Sequence, residues 1–210
     1  MRDRDLSLLC ALLWGCGAAG GTAVMKTMRA PDNLQPDEYT SAVNLYQREC
    51  SAGDATGCGY LGFMYDNGFG VDRDVGMGVE LTERSCGEGS AYGCAYLGYL
   101  HRLGRGVPRD DQRAATLFRR ACDDDELSGC VGLAIMYKSG SGVPRDLEHA
   151  VELFRRACDR GDGLACYSLG YMYANGEGVD RDMDQAAQWF HEACSSGDRV
   201  SCEAEKSLKR

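Results

Sequence analysis

Histidine, net positive charge and long apolar runs are what this 210-residue chain is short of, and each shortage removes a class of function. Three histidines, His101, His149 and His191, are too few to build a histidine-based metal centre. Lysine and arginine total 23 against 32 acidic residues, a formal charge of -9, so no phosphate-neutralising surface is available and nucleic acid is excluded as a partner. No apolar stretch is long enough to span a bilayer. The patterns S-x-x-K, G-x-S-x-G and H-x-H-x-D are absent, and the nearest approach, Ser207-Leu-Lys-Arg, has its lysine one position too early. No catalytic residue, metal or cofactor is assigned. What remains, 44% hydrophobic and 26% charged, is the composition of a globular chain.

Cysteine is abundant, at twelve residues, and ten of them form a ladder. Cys50 and Cys58, Cys86 and Cys94, Cys122 and Cys130, Cys158 and Cys166, and Cys194 and Cys202 recur with one spacing inside each pair and one period between pairs. A fixed period of this size marks a repeat protein. Stacking segments 58–93, 94–129, 130–165 and 166–201 aligns Leu61, Leu97, Leu133 and Leu169, then Gly62, Gly98, Ala134 and Gly170, then Met64, Leu100, Met136 and Met172. These columns lie on one helical stripe, with a small residue that permits close helix approach. A G-x-G-V element follows, at Gly68, Gly104, Gly140 and Gly176, where a helix stop needs a residue with positive φ. That reading is preferred to a phosphate-binding loop.

An Arg-Asp dipeptide comes next in every unit: Arg73-Asp74, Arg109-Asp110, Arg145-Asp146 and Arg181-Asp182. The Asp reads as the N-cap of a second helix. Its buried stripe is Ala150, Leu153, Phe154 and Ala157 in the third unit and Ala186, Trp189, Phe190 and Ala193 in the fourth. The predicted fold is therefore all-α, a solenoid of 36-residue αα hairpins over 37–202. A half unit at 37–57, with Ala42, Val43, Leu45 and Tyr46, opens it, and a polar cap at 202–210 closes it. Gly76 and Gly78 predict a weaker second helix in the first unit.

Two pairings of the ladder cysteines are open to neighbouring helix ends. Pairing within hairpins would strand Cys50 and Cys202 at opposite ends of the rod, too far apart to bridge. Pairing across each C-x7-C leaves none over, and predicts disulfides Cys50–Cys58, Cys86–Cys94, Cys122–Cys130, Cys158–Cys166 and Cys194–Cys202. Zinc is the rival reading, but its structural sites use tighter ligand spacing, and the three histidines fall in three different columns.

Cys10 and Cys16 lie outside the ladder in an apolar stretch from Leu6 to Cys16, long enough for a signal-peptide core. Leu13-Trp14-Gly15-Cys16 looks like a bacterial lipobox, which makes 1–16 a signal peptide, Cys16 the lipidated residue and 17–36 a flexible tether. An ordinary signal cleaved near Ala19, or a buried N-terminal helix, is the alternative. The expected location is periplasmic or cell-surface by a lipid anchor, otherwise secreted.

The pattern C-x-x-L-G-x-x-Y-x-x-G-x-G-V-x-x-D…A-x-x-[LW]-F-x-x-A-C closely resembles the Sel-one-like repeats, relatives of the tetratricopeptide repeats. With C-x7-C it is similar to the Hcp cysteine-rich, β-lactamase-like subfamily. The resemblance implies a right-handed superhelix, secretion with disulfides, and a protein or peptide partner on the concave face. It also implies, as an alternative, weak binding or hydrolysis of a β-lactam or a peptidoglycan-like small molecule.

Structural columns repeat and ligand-contacting ones should not, because each unit touches a different part of the ligand. The varied, aromatic positions of the first helices are the groove candidates: Tyr60, Phe63, Tyr96, Tyr99, Arg102, Lys138, Tyr167 and Tyr171, with Asp66, Asn67 and Asn175 beside them. Tyr65, Tyr137 and Tyr173 are at core spacing, and His101, which replaces tyrosine in that column, is read first as a satisfied core histidine. Arg119, Arg120, Arg155 and Arg156 are expected to form a solvated face paired with local acids.

Overall fold

Capping chemistry sets the boundaries of the helices in the computed structural model, which describes residues 36–196 and 201–203. The expected leader with Cys10 and Cys16, and the expected tether up to 35, lie outside the described residues, as do 204–210 of the expected cap. Nine α-helices are present among the described residues: α1 Pro36–Ser51, α2 Ala55–Asn67, α3 Val75–Gly87, α4 Ala91–Leu103, α5 Asp111–Asp123, α6 Leu127–Ser139, α7 Leu147–Cys158, α8 Gly163–Asn175 and α9 Met183–Ser195. Each even-numbered helix is the first of a hairpin, and α1 is the second helix of the half unit.

All four Arg-Asp aspartates are N-caps, of α3, α5, α7 and α9. Their carboxylates accept from the backbone N–H of Met77, Arg113, His149, and of both Asp184 and Gln185. Each such cap stabilises by about 1 kcal/mol. The first helices are capped by Asp54, Ser90, Glu126 and Asp162. The ladder columns did not expose these, because the cap residue differs from unit to unit. Gly68, Gly104, Gly140 and Gly176 close the first helices with φ between 66° and 73°.

The arginine of Arg-Asp has its own task. Arg73, Arg145 and Arg181 each donate Nε to the carbonyl seven residues earlier, at Asp66, Lys138 and Ala174 (2.9, 3.1 and 3.0 Å), satisfying orphan oxygens at the helix end. Arg109 instead pairs with Asp111 at 2.8 Å. The pairing holds the Asp111 carboxyl below its ordinary value, chiefly through the Arg109 hydrogen bond.

Packing follows the predicted columns. Leu61, Leu97, Leu133 and Leu169 are buried, as are Ala150, Leu153, Phe154 and Ala157 on α7. The small column is required by contact: a Cβ on Gly98 would lie 3.1 Å from the Phe118 ring, and one on Gly170 only 2.8 Å from the Phe190 ring. In the first unit Thr82 stands where the others have Phe. The α3 helix forms despite Gly76 and Gly78, and Gly78 has a reason of its own: a Cβ there would sit 2.9 Å from Cβ of the buried Asp66.

All five C-x7-C disulfides are present, with Cα–Cα distances of 4.4 to 4.7 Å. Each joins the last turn of one hairpin to the first turn of the next. Arginines of the second helices reach back across them: Arg84 approaches Cys50 Sγ, Arg120 approaches Cys86 Sγ and Arg156 approaches Cys122 Sγ, at 3.9, 3.8 and 3.7 Å. Arg156 also donates to the Cys122 carbonyl and to the Asp125 carboxylate. Asp125 holds φ 63° in a loop column that is otherwise Gly53, Gly89 and Gly161. Its ion pairs with Arg156 and Arg160 offset the cost of that backbone conformation.

Arg119, Arg120, Arg155 and Arg156 are exposed, as expected, but their expected pairing with local acids needs correction. Arg119 donates to the Tyr137 hydroxyl and Arg155 to the Tyr173 hydroxyl, each at 2.9 Å, so these arginines tie one hairpin to the next rather than to local acids. Arg120 lies by sulfur, and only Arg156 of the four is ion-paired. Among the described residues no helix is long and apolar enough to cross a membrane.

Candidate interaction surface

The first helices α2, α4 and α6 touch in succession, which makes them the inner layer of the solenoid. The surface they present is built from the helix positions that vary between units. It divides into a closed aromatic half and an open half carrying cations.

In the closed half, rings stack from hairpin to hairpin. Tyr46 meets Tyr60 at 4.9 Å, Tyr60 meets Tyr92 at 4.3 Å, and Tyr92 and Tyr96 stack at 6.3 Å. Phe63 meets the edge of Tyr96 at 5.4 Å. The groove assignment of Tyr96 is therefore corrected: it is 1% exposed, because its hydroxyl reaches into a polar network below the surface. The Tyr96 hydroxyl donates to Asp66 Oδ2 at 2.6 Å and accepts from Asn67 Nδ2 at 3.1 Å. Asp66, itself 0% exposed, pairs its Oδ1 with Arg105 Nε at 2.8 Å. Arg105 also donates to the Asp66 carbonyl and to Asn67 Oδ1. This network joins the first two units. Tyr60 and Phe63, half-buried in the same packing, serve the joint between units more than an open surface. Tyr167 packs against Phe190 at 5.5 Å and likewise belongs to the core wall.

Burial drives the phenols of Tyr46, Tyr60, Tyr92 and Tyr96 well above their ordinary value of 10.0, and for Tyr96 the hydrogen bond to Asp66 adds to it. A raised folded-state value means stability is fully present below pH 10.0 and is lost as pH rises beyond it, because the unfolded chain ionises first. Brief exposure to rising pH should therefore give flat stability to about pH 9 and a steep loss above about pH 10. Phenolate absorbance should show these rings titrating only together with unfolding. Gradual titration of every tyrosine in the still-helical protein would contradict this burial.

In the open half, Tyr99, Arg102, Lys138 and Tyr171 remain accessible. The Arg102 guanidinium lies over the Tyr99 ring at 5.8 Å, and Lys138 Nζ lies over the Tyr171 ring at 4.5 Å, bridging from α6 to α8. Tyr171 is 44% exposed, against 1% for Tyr96. Lys138 also pairs with Glu177 at 3.1 Å. Among the described residues the buried Nε atoms of Arg102 and Arg105 both lack a hydrogen-bond acceptor, but Arg105 Nε is ion-paired with Asp66 and Arg102 Nε is not. Sequence reasoning missed Glu177, which extends this strip through its ion pair with Lys138. Glu177 lies in the glycine loop, in a column of Phe69, Arg105 and Ser141 whose variability was the available signal.

Asn67 serves the network, whereas Asn175 is exposed and donates to the Tyr171 carbonyl. His101 is buried as a core histidine, its Nδ1 3.4 Å from the Pro108 carbonyl. Among the described residues no cluster of three potential metal ligands is formed.

Comparison with known proteins accounts for this architecture. The Sel1 repeat family model matches residues 55–90, 91–125, 127–162 and 163–198, units that begin just after each first-helix N-cap. A Sel1 repeat protein from Oxalobacter formigenes is 26% identical, superposes with a TM-score of 0.70, and shares 80% of this chain and 67% of its own. The uropathogenic Escherichia coli protective antigen c5321, with an SLR fold, is 30% identical at a TM-score of 0.71. The match covers 81% of this chain but 36% of the antigen. Helicobacter pylori cysteine-rich protein B is 25% identical at a TM-score of 0.48, over 64% of this chain and 96% of its own. No curated protein matches the sequence significantly.

Proposed function

Because the chain belongs to the Sel1 repeat family, we propose that it is an interaction scaffold that holds a protein or peptide partner against the inner strip of Tyr99, Arg102, Lys138 and Tyr171. The observation that carries this reading is the pair of cations laid over aromatic rings on an accessible face, one of them leaving a buried guanidinium N–H without an acceptor. A buried donor without a partner is costly, and a ligand carbonyl or carboxylate would satisfy it. Flat rings beside it supply contact area at low entropic cost.

Five disulfides support an oxidising, extracytoplasmic setting. Within that setting, the lipobox-like Leu13-Trp14-Gly15-Cys16 supports anchorage in the bacterial envelope through lipidated Cys16.

Tyr171→Ala provides the clean test. Tyr99 stacks on Tyr96 at 6.0 Å and leans on the core, so its removal also costs stability, whereas Tyr171 is exposed. Capture from envelope extract on immobilised protein should yield a species whose retention falls about tenfold with Tyr171→Ala and again with Arg102→Ala. The melting temperature should stay within about 2 °C for Tyr171→Ala. Equal retention by both variants would remove the strip from the interaction.

A hydrolytic role on β-lactams has less support. Lys138 is the sole lysine among the described residues, and its ammonium is held by Glu177 and Tyr171. Ser85, Ser90 and Ser128 are engaged with the Ala55 carbonyl, the Gly93 N–H and the Glu126 carboxylate. A chromogenic cephalosporin should turn over no faster than with heat-denatured protein; faster turnover would replace the scaffold reading with an enzymatic one.

A further inference from the structure

The repeat geometry exposes one interface that lacks what the others contain. At three successive junctions an arginine of the second helix, Arg84, Arg120 or Arg156, is laid against the cysteine that ends the preceding second helix. The best defined of these, Arg156, uses Nη2 to reach the Cys122 carbonyl at 3.1 Å and the Asp125 carboxylate. At the fourth junction the same column holds Glu192, the leucine column (Leu81, Leu117, Leu153) holds Trp189, and Gly161 stands where Asp125 stood. An open cavity of about 740 Å³ occupies this place, lined by Cys158, Asp159, Arg160, Gln188, Trp189 and Glu192, together with Gly161.

We propose that this cavity is a binding site for a guanidinium group, the side chain of an arginine presented by a peptide or protein partner, which takes the place that Arg156 fills one unit earlier. Three features fit that cation. Glu192 and Asp159 both line the cavity, and among the described residues neither carboxylate is in an ion pair. The Trp189 indole offers the best aromatic surface for a guanidinium, and its buried Nε1–H has no acceptor among the described residues. Arg160, the one cation on the rim among the described residues, is drawn back to the preceding loop, 3.1 Å from the Asp125 carbonyl and 3.5 Å from Asp125 Oδ1. The site lies on the second helices, away from the inner strip, and does not depend on the scaffold's own ligand.

The indole Nε1–H resonance of Trp189 is the readout; Trp14 lies in the expected signal peptide, and where that segment is retained a Trp14→Phe sample separates the two resonances. N-acetyl-arginine N′-methylamide should shift it saturably, with a dissociation constant on the order of 1 mM, as expected for a ligand of this size. The lysine analogue should bind more weakly, and the uncharged citrulline analogue should leave the resonance unmoved. Glu192→Gln, at an exposed position, should weaken binding about tenfold. Glu192→Arg should fill the cavity from within, abolish binding and raise the melting temperature by about 2–4 °C. Arg160→Ala, which removes the competing cation, should tighten binding. No saturable shift in the native protein, equal binding of the citrulline analogue, or undiminished binding by Glu192→Arg would each overturn the assignment.

Discussion

Reduction of the five disulfides should unfold the solenoid under conditions where the oxidised protein is fully helical. Each bridge closes a loop between residues eight apart. In the chain-entropy account that is worth about 2.5 kcal/mol, so the set of five amounts to about 12 kcal/mol if additive and unstrained. A domain's entire stability is typically about 5–15 kcal/mol. Solenoid hairpins contact only their neighbours, so no distant packing compensates when the junctions loosen. Far-ultraviolet circular dichroism at about 37 °C, with and without excess dithiothreitol, should show near-complete loss of helix only in the reduced sample. A reduced protein that melts within a few degrees of the oxidised one would show that packing alone holds the junctions.

Arg105→Met should be strongly destabilising. It leaves the fully buried Asp66 carboxylate with the Tyr96 hydroxyl as its remaining side-chain partner. Breaking a buried pair from one side costs about 3–5 kcal/mol. Arg105 keeps 27% of its side chain in solvent, which screens the pair, so the lower end, about 3 kcal/mol, is expected. Asp66→Ala in the same chain should recover part of that loss, since no unpaired charge then remains. Urea denaturation of the single and double variants measures this. A single variant within about 0.5 kcal/mol of the native protein would mean that water reaches Asp66 and that the network is not a structural joint.

The two expectations differ in how readily they could be read from residues. Disulfide pairing followed from the ladder, since a solenoid cannot bring its two ends together to rescue stranded cysteines. The Asp66 network did not. The columns of Asp66, Asn67 and Tyr96 vary between units, and variability marks a ligand surface and a specialised joint between two units equally well. Tyr96 turned inward because Arg105 and Asp66 lie beneath it, a fact that needs residues from two hairpins at once.

Periodicity also hid what single substitutions do. Glu192 and Trp189 look like ordinary variation on a helix face until Arg156 is seen lying across the previous cysteine. Gly78 looked like a helix weakener until the Asp66 side chain was found against it.

The amino-acid order alone determined the hairpin unit, its helix stops, the Asp caps of the second helices and the five cross-links. All of these are set by residues close in sequence, through backbone conformation, orphan hydrogen-bonding groups and short-loop closure. Only the tertiary structure decided which varied side chains face solvent. Burial of Tyr96, exposure of Tyr171 and the open place beside Trp189 each depend on how one hairpin meets the next, and that contact is summed over positions about 36 residues apart.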